Sequence, residues 1–183
     1  MDLEALIAQF RVDADDLADG ALSSDPAITS WLNEAEQEAA IRARLIHDVS
    51  TPAVCSIAVV AGTTVYPLHA SIIEITRAVF VPVDTTTEYD IYLTDRVEQD
   101  RLHPGWRNRT DTPREAIQTD TTLQLGCIPS TDGTITLEAY RLPLKNIEDA
   151  ASESPEIGRI HHRHLVQWAL HKCYSRPDAD QHD

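Results

Sequence analysis

The 183-residue sequence predicts an α+β fold, a helical bundle carrying an inserted antiparallel, β-sandwich-like block, on three observations. Apolar residues recur at a helical period through residue 46; from residue 53 to about 144 the period becomes alternating and β-branched residues with turn formers take over; a helical period then returns. A β block flanked by helices must bring its own ends together, so the helices are expected to pack as one bundle with the sheet projecting from it. The expected divisions are residues 1–52 for the N-terminal helices, 53–145 for the β-rich block, and 146–183 for a linker and the last helix.

The first helix follows from Leu3, Leu6, Ile7, Phe10, Ala14 and Leu17, which fall within about 100° of helical arc, and it is expected to end at Gly20. The second opens at Asp25 as cap with Pro26 in the first turn. It places Ile28, Trp31, Leu32, Ala35, Ala39, Ala43 and Ile46 on one face. Arg42 shares that face and therefore requires a carboxylate partner. In the β block, Ile73, Ile75, Val79 and Val81 alternate with Glu74, Thr76 and Phe80, and Tyr89, Ile91 and Leu93 alternate with Asp90 and Tyr92. Leu123, Leu125 and Cys127 run into "PSTDG" and re-emerge as Ile135, Leu137 and Ala139, a hairpin in which Asp132-Gly133 would supply positive φ. Thr94 can cap a short helix, "DRVEQDRL", stopped by Pro104-Gly105, and Ser154-Pro155 opens the last helix.

Thirty acidic against fifteen basic residues give a formal charge of −15, which argues against binding nucleic acid by phosphate neutralisation. The charge is uneven. Residues 1–40 hold ten carboxylates against Arg11 alone, whereas Arg159, Arg163, Lys172 and Arg176 lie near the end. Such asymmetry suits head-to-tail contacts between copies, and equally suits two solvated faces. Cys55, Cys127 and Cys173 follow no disulfide or zinc spacing and read as reduced thiols of an intracellularly made protein. Neither a signal peptide nor a membrane-length apolar run is visible, so no membrane partner is expected.

Glycine-rich phosphate loops, GxSxG and HExxH are absent, and no cofactor is expected. The acidic stretch "VDADDLADGALSSD" fails as a calcium loop because Leu17, Ala18 and Ser24 stand where an acid or Asn, a glycine and a glutamate are needed. "RIHHRHLVQWALHKCYS" places Ile157, Ile160, His161, His164, Trp168 and His171 on one helical face and His162, Val166, Ala169, Leu170 and Cys173 opposite. A helix with two apolar faces needs deep burial or a partner chain. The histidines admit three roles: neutral packing groups, protonatable contacts to an acidic surface, or metal ligands. The last lacks a third ligand and a carboxylate in the helix. In "GWRNRTDTPR", Trp106, Arg107 and Arg109 read as a surface loop making protein contacts, since Trp and Arg are favoured at interfaces.

In order along the chain, "LEALIAQFRVDADD", "SDPAITSWLNEAEQEAAIRARLI", "VAGTTVYPL…IIEITRAVF", "HPGWRN…TPREAIQTDTTLQLGCIPSTDGTITLEAYRLP" and "HHRHLVQWALHKCYSRPDAD" resemble the head-to-tail adaptor proteins of tailed bacteriophages. That resemblance implies a non-enzymatic virion component of the neck. It implies a ring of about twelve copies below the portal, contacting portal, tail or nozzle proteins and its own neighbours, with DNA passing through unbound. It carries no catalytic residues. Similar chains continue past the counterpart of "SRPDAD" with another helix, where this one stops at Asp183. The interface residues expected are His161, His164, Trp168 and His171 with Trp106, Arg107 and Arg109. The rival from another class is a small metal-dependent hydrolase that would pair the histidine helix with Glu34, Glu36 or Glu38. A β-sandwich ligand-binding module is the third reading, and 5% aromatic content leaves it few stacking platforms.

Overall fold

Asp2 begins the first helix: its carboxylate accepts the Ala5 N–H at 2.9 Å, and α1 runs Leu3–Asp13 with Leu3, Leu6 and Phe10 buried. The computed structural model describes residues 1–16, 23–148 and 153–175. The chain folds as two compact units, Met1–Ile46 with Leu142–Asp183, and His47–Arg141.

In the first unit α1 ends well before the expected Gly20. Ala14 donates back to the Phe10 carbonyl, Asp15 takes a left-handed φ of 54°, and Asp16 ties to Arg11 at 3.2 Å. Leu17, Ala18 and Gly20 lie outside the described residues. The second helix, α2, spans Asp25–Ala43. Its cap is Ser24 rather than Asp25, and it stops three residues short of Ile46 at Arg44, which adopts φ 49° without being glycine. Ile28, Trp31, Leu32 and Ala35 are buried as the spacing predicts, but Glu36 and Ala40 complete the face and Ala43 is exposed. Arg42 meets the expected carboxylate, Glu38, at 2.7 Å, on the surface and not in the core.

The last helix, α5 by chain order, is His162–Tyr174, entered through a 3₁₀ turn at Arg159–His161. Residues Ser154 to Gly158 are not helical, so the cap-then-proline signal at Ser154-Pro155 marked a bend and not a helix start. The side chain of Glu36 explains the bend: buried in the core, it accepts the Ile157 N–H at 3.2 Å and holds that segment out of helical pairing. Burial pushes the Glu36 carboxyl up, against the lowering effect of its bonds from the Ile157 and Glu156 N–H groups. Helices α1, α2 and α5 all touch one another around a core that includes Ile147 and Ile157. Asn33 fixes the Ile147 backbone from both sides, at 3.1 and 2.8 Å. Residues 149–152 of the predicted linker lie outside the described residues, as does everything after Ser175.

The second unit comprises β1 (His47–Asp48), α3 (Pro52–Cys55), β2 (Ser56–Val59), β3 (Val65–Pro67), β4 (Ile72–Pro82), β5 (Tyr89–Leu93), α4 (Arg96–Leu102), β6 (Thr110–Asp111), β7 (Glu115–Gln118), β8 (Thr122–Leu125), β9 (Ile128–Pro129) and β10 (Gly133–Arg141). These strands do not form the fully antiparallel, sandwich-like block expected. They form one curled mixed sheet, a half-barrel, in the order β1-β10-β4-β5-β7-β8-β3, with β2 also on β10 and a separate β6–β9 pair. The reason is the crossover between β5 and β7: α4 and the turn after it carry the chain back, so β7 pairs with β5 in parallel. Asp95, not Thr94, caps α4, accepting the Glu98 N–H at 2.8 Å.

Two further expectations fail for identifiable reasons. A bulge in β4, where Glu138 faces Arg77 and Ala139 faces Ile75, leaves Thr76 unpaired and reverses the alternation. Phe80, placed by strict alternation with the polar residues, is therefore fully buried with Ala78. The hairpin read from Leu123 to Ala139 does not form: β8 pairs with β7 and β3, whereas β10 pairs with β4, β2 and β1. Gly133 has no positive φ. It is small because β4 runs against it, leaving no room for a Cβ beside the Phe80 ring and the Val81 carbonyl.

Where the chain enters and leaves this unit, Asp48 on β1 and Arg141 on β10 form an ion pair at 2.6 Å, both almost fully buried. The other Asp48 oxygen accepts the N–H groups of Ser50 at 3.1 Å and Thr51 at 3.0 Å, and the Cys55 thiol at 3.5 Å. Burial by itself would raise the Asp48 carboxyl. The Thr51 N–H, Arg141 and the other donors outweigh it and hold the group well below the usual carboxylate range.

Candidate interaction surfaces

Helix α5 sorts its histidines by face. His162 is 3% exposed and packs inward with Leu165, Val166 and Ala169. His164 and His171 are exposed, and His161 and Trp168 are half-buried beside them. The rings follow one another, His161 to His164 at 6.4 Å between centroids and Trp168 to His171 at 6.2 Å. Ile160, in the preceding turn, is 83% exposed; Ile157, assigned by spacing to this face, is buried before the helix begins.

Trp168 sits on the seam between α2 and α5. Arg42 lies over its ring at 5.5 Å and Lys172 at 5.6 Å, and each cation is anchored by a carboxylate of α2: Glu38 for Arg42 and Glu34, at 2.6 Å, for Lys172. The indole N–H is buried with no acceptor among the described residues. A cationic, aromatic, imidazole-bearing strip therefore faces outward from a helix that holds no acidic residue between Glu156 and Ser175.

The β-unit loop is built differently from the expectation. Gly105, at φ 83°, turns the chain after α4 so that Trp106 points inward, only 2% exposed, its indole N–H donating to Asp100 at 2.7 Å. The Trp106 side chain is thus part of the interior. Arg107 remains outside, stacked on that ring at 4.5 Å and bidentate to Asp100 at 2.6 and 3.2 Å. Those bonds from Arg107 and Trp106 lower the Asp100 carboxyl. Arg109 turns to Glu115, 3.5 Å away, which His103 also approaches at 3.6 Å. Among the three, Arg107 and Arg109 keep partly exposed guanidinium groups.

A contact that spacing gave no sign of joins Met1 to the first residue of α5. The Met1 ammonium donates to His162 Nδ1 at 2.9 Å, which leaves Nε2–H to donate to the Ile157 carbonyl at 3.1 Å. An imidazole accepting from an ammonium has to be neutral. Burial lowers the His162 pKa, the Ile157 carbonyl pulls the other way, and the nearby ammonium lowers it further. Because the unfolded chain takes up the proton first, the stability this group contributes is complete above about pH 6.5 and declines as pH falls below it. Urea unfolding at pH 7.5 and 5.5 should show a larger loss for the wild type than for His162→Gln; equal losses would mean that another group carries the dependence.

A family model described as SU10 adaptor protein matches residues 1–183. The chain belongs to the SU10 adaptor family. No curated protein matches it. Membership makes this adaptor a structural protein of a bacteriophage, associated with portal and tail proteins at the virion neck. No described helix of the adaptor is long and apolar enough to cross a membrane. The three carboxylates that the hydrolase reading would recruit are engaged elsewhere: Glu34 with Lys172, Glu38 with Arg42, and Glu36 with the Ile157 N–H inside the core. Among the described residues of the adaptor, no three His, Cys, Asp or Glu side chains gather as a metal-holding set.

Proposed function

We propose that this chain is a non-enzymatic head-to-tail adaptor that assembles as a ring below the portal, about twelve copies by analogy with similar adaptors, and continues the DNA channel toward the tail. The observation that carries the reading is the family match over residues 1–183. Two physical features support it. The outward strip of α5, with His161, His164, Trp168 and His171, offers an aromatic and cationic surface of the kind found at protein contacts. The charge of −15 favours a wall from which a passing polyanion is repelled. In this reading the three helices act as a bundle that carries the β unit as an insertion. Arg107 and Arg109 take contacts from tail proteins, with Trp106 supporting them from inside.

The test is assembly with a purified portal ring, followed by sedimentation and negative-stain imaging. The adaptor alone should be monomeric or weakly associated, and should form a ring on adding portal. A stable free dimer that never co-sediments with portal would overturn the proposal.

A further inference from the structure

The helical unit has a second surface that the proposed function does not use. A groove of about 790 Å³ runs along α2 beside the start of α1 and residues 146–148. Leu3, Ile7 and Pro26 give it apolar walls; its charged lining residues are Asp25, Glu34 and Glu148, and none of the described residues lining it is a Lys or Arg. Arg11 partly neutralises Asp25, and Lys172 partly neutralises Glu34, from outside the groove. Glu148 is exposed. The chemistry that fits is an apolar ridge flanked by cations.

The same chain carries such a ridge. On α5, Trp168 is flanked by Arg42 and Lys172, with His164 and His171 exposed alongside and Ile160 projecting from the turn before. The carboxylates of the groove suit the cations of the ridge and the imidazoles exposed beside them. Groove and ridge are distinct surfaces that share Glu34 alone among their charged groups, so their contact is heterologous: each copy offers its ridge to one neighbour and its groove to the other. We propose that the groove of one copy receives the α5 ridge of a second copy, head to tail. The inference rests on the side-by-side assembly proposed above and names the two surfaces that meet.

Two exposed substitutions separate the halves of the joint. His171→Glu sets a carboxylate on the ridge against an acidic groove, and Ser30→Tyr fills the groove from its rim; Gln37→Tyr serves if Ser30→Tyr does not fold by circular dichroism. Wild type, each variant and their equimolar mixture are sedimented over a range of concentrations, alone and with a portal ring. The expected pattern is association of wild type, at least tenfold weaker association of either variant, and recovery in the mixture of a dimer and nothing larger, because one working joint remains per pair. A mixture no better than its components, or a His171→Glu variant that associates like wild type, overturns the docking. Full, ordered portal loading by both variants also overturns it while leaving the adaptor function standing; failure of wild type to load portal, with the mixture pattern intact, does the reverse. A wild type that places no copies side by side, free or on portal, overturns the inference.

Discussion

Asp48→Ala should destabilise the β unit by about 3–5 kcal/mol, because it strands the buried Arg141 guanidinium and removes the acceptor for two backbone N–H groups and the Cys55 thiol at once. Chemical denaturation followed by circular dichroism measures the loss. Asp48→Asn keeps an oxygen for the Ser50 and Thr51 donors but not the charge, and belongs between wild type and alanine. The pH dependence has a fixed sign. With its folded carboxyl held below the ordinary range, the stability Asp48 contributes is fully present above the unfolded value, near pH 4, and is lost as pH falls below it. Asp48→Asn should therefore flatten the acid limb of the stability curve; an unchanged limb would mean that the ion pair contributes nothing net.

Gly133→Ala should cost about 2–3 kcal/mol, since the added Cβ meets the Val81 carbonyl and the ring of fully buried Phe80, and strand backbone cannot swing aside as a flexible side chain would. The comparison that decides the cause is Gly133→Asn. Were this glycine present for a positive-φ turn, asparagine would be nearly neutral, because it tolerates that region. Close approach of β4 makes asparagine at least as damaging as alanine. Thermal melts of the two variants give opposite rankings under the two causes.

Periodicity located the inward face of α2 through Ile28, Trp31, Leu32 and Ala35, and separated His162, Val166 and Ala169 from His164 and His171 on α5, because both helices bury one continuous stripe. It failed at helix ends. Asp15 and Arg44 stop α1 and α2 in left-handed conformations with side chains that carry no glycine-like signal, and Glu36 undoes the apparent start at Ser154-Pro155 from more than a hundred residues away. In the sheet, one bulge at Thr76 was enough to turn Phe80 from the expected outer face to the core, and a strand partner is a tertiary fact that turn residues such as Asp132-Gly133 do not specify. The loop after α4 shows the same limit: Trp106 looked like a contact residue until Asp100, six positions earlier, supplied an internal acceptor for its N–H. The link between Met1 and His162 joins residues too distant for any local pattern to register.

The clasp between Asp48 and Arg141 also decides how the β unit bears load. Its two ends leave from adjacent antiparallel strands, with His47 opposite Tyr140 and Asp48 opposite Ala139. A pull on the flanking chain would then peel β1 from β10 one rung at a time instead of shearing all rungs together, the weaker of the two geometries. The first obstacle to that peeling is the buried ion pair, backed by the Ser50 and Thr51 bonds. A lock at the mouth of an inserted module keeps tension on the flanking chain from reaching the strands behind it.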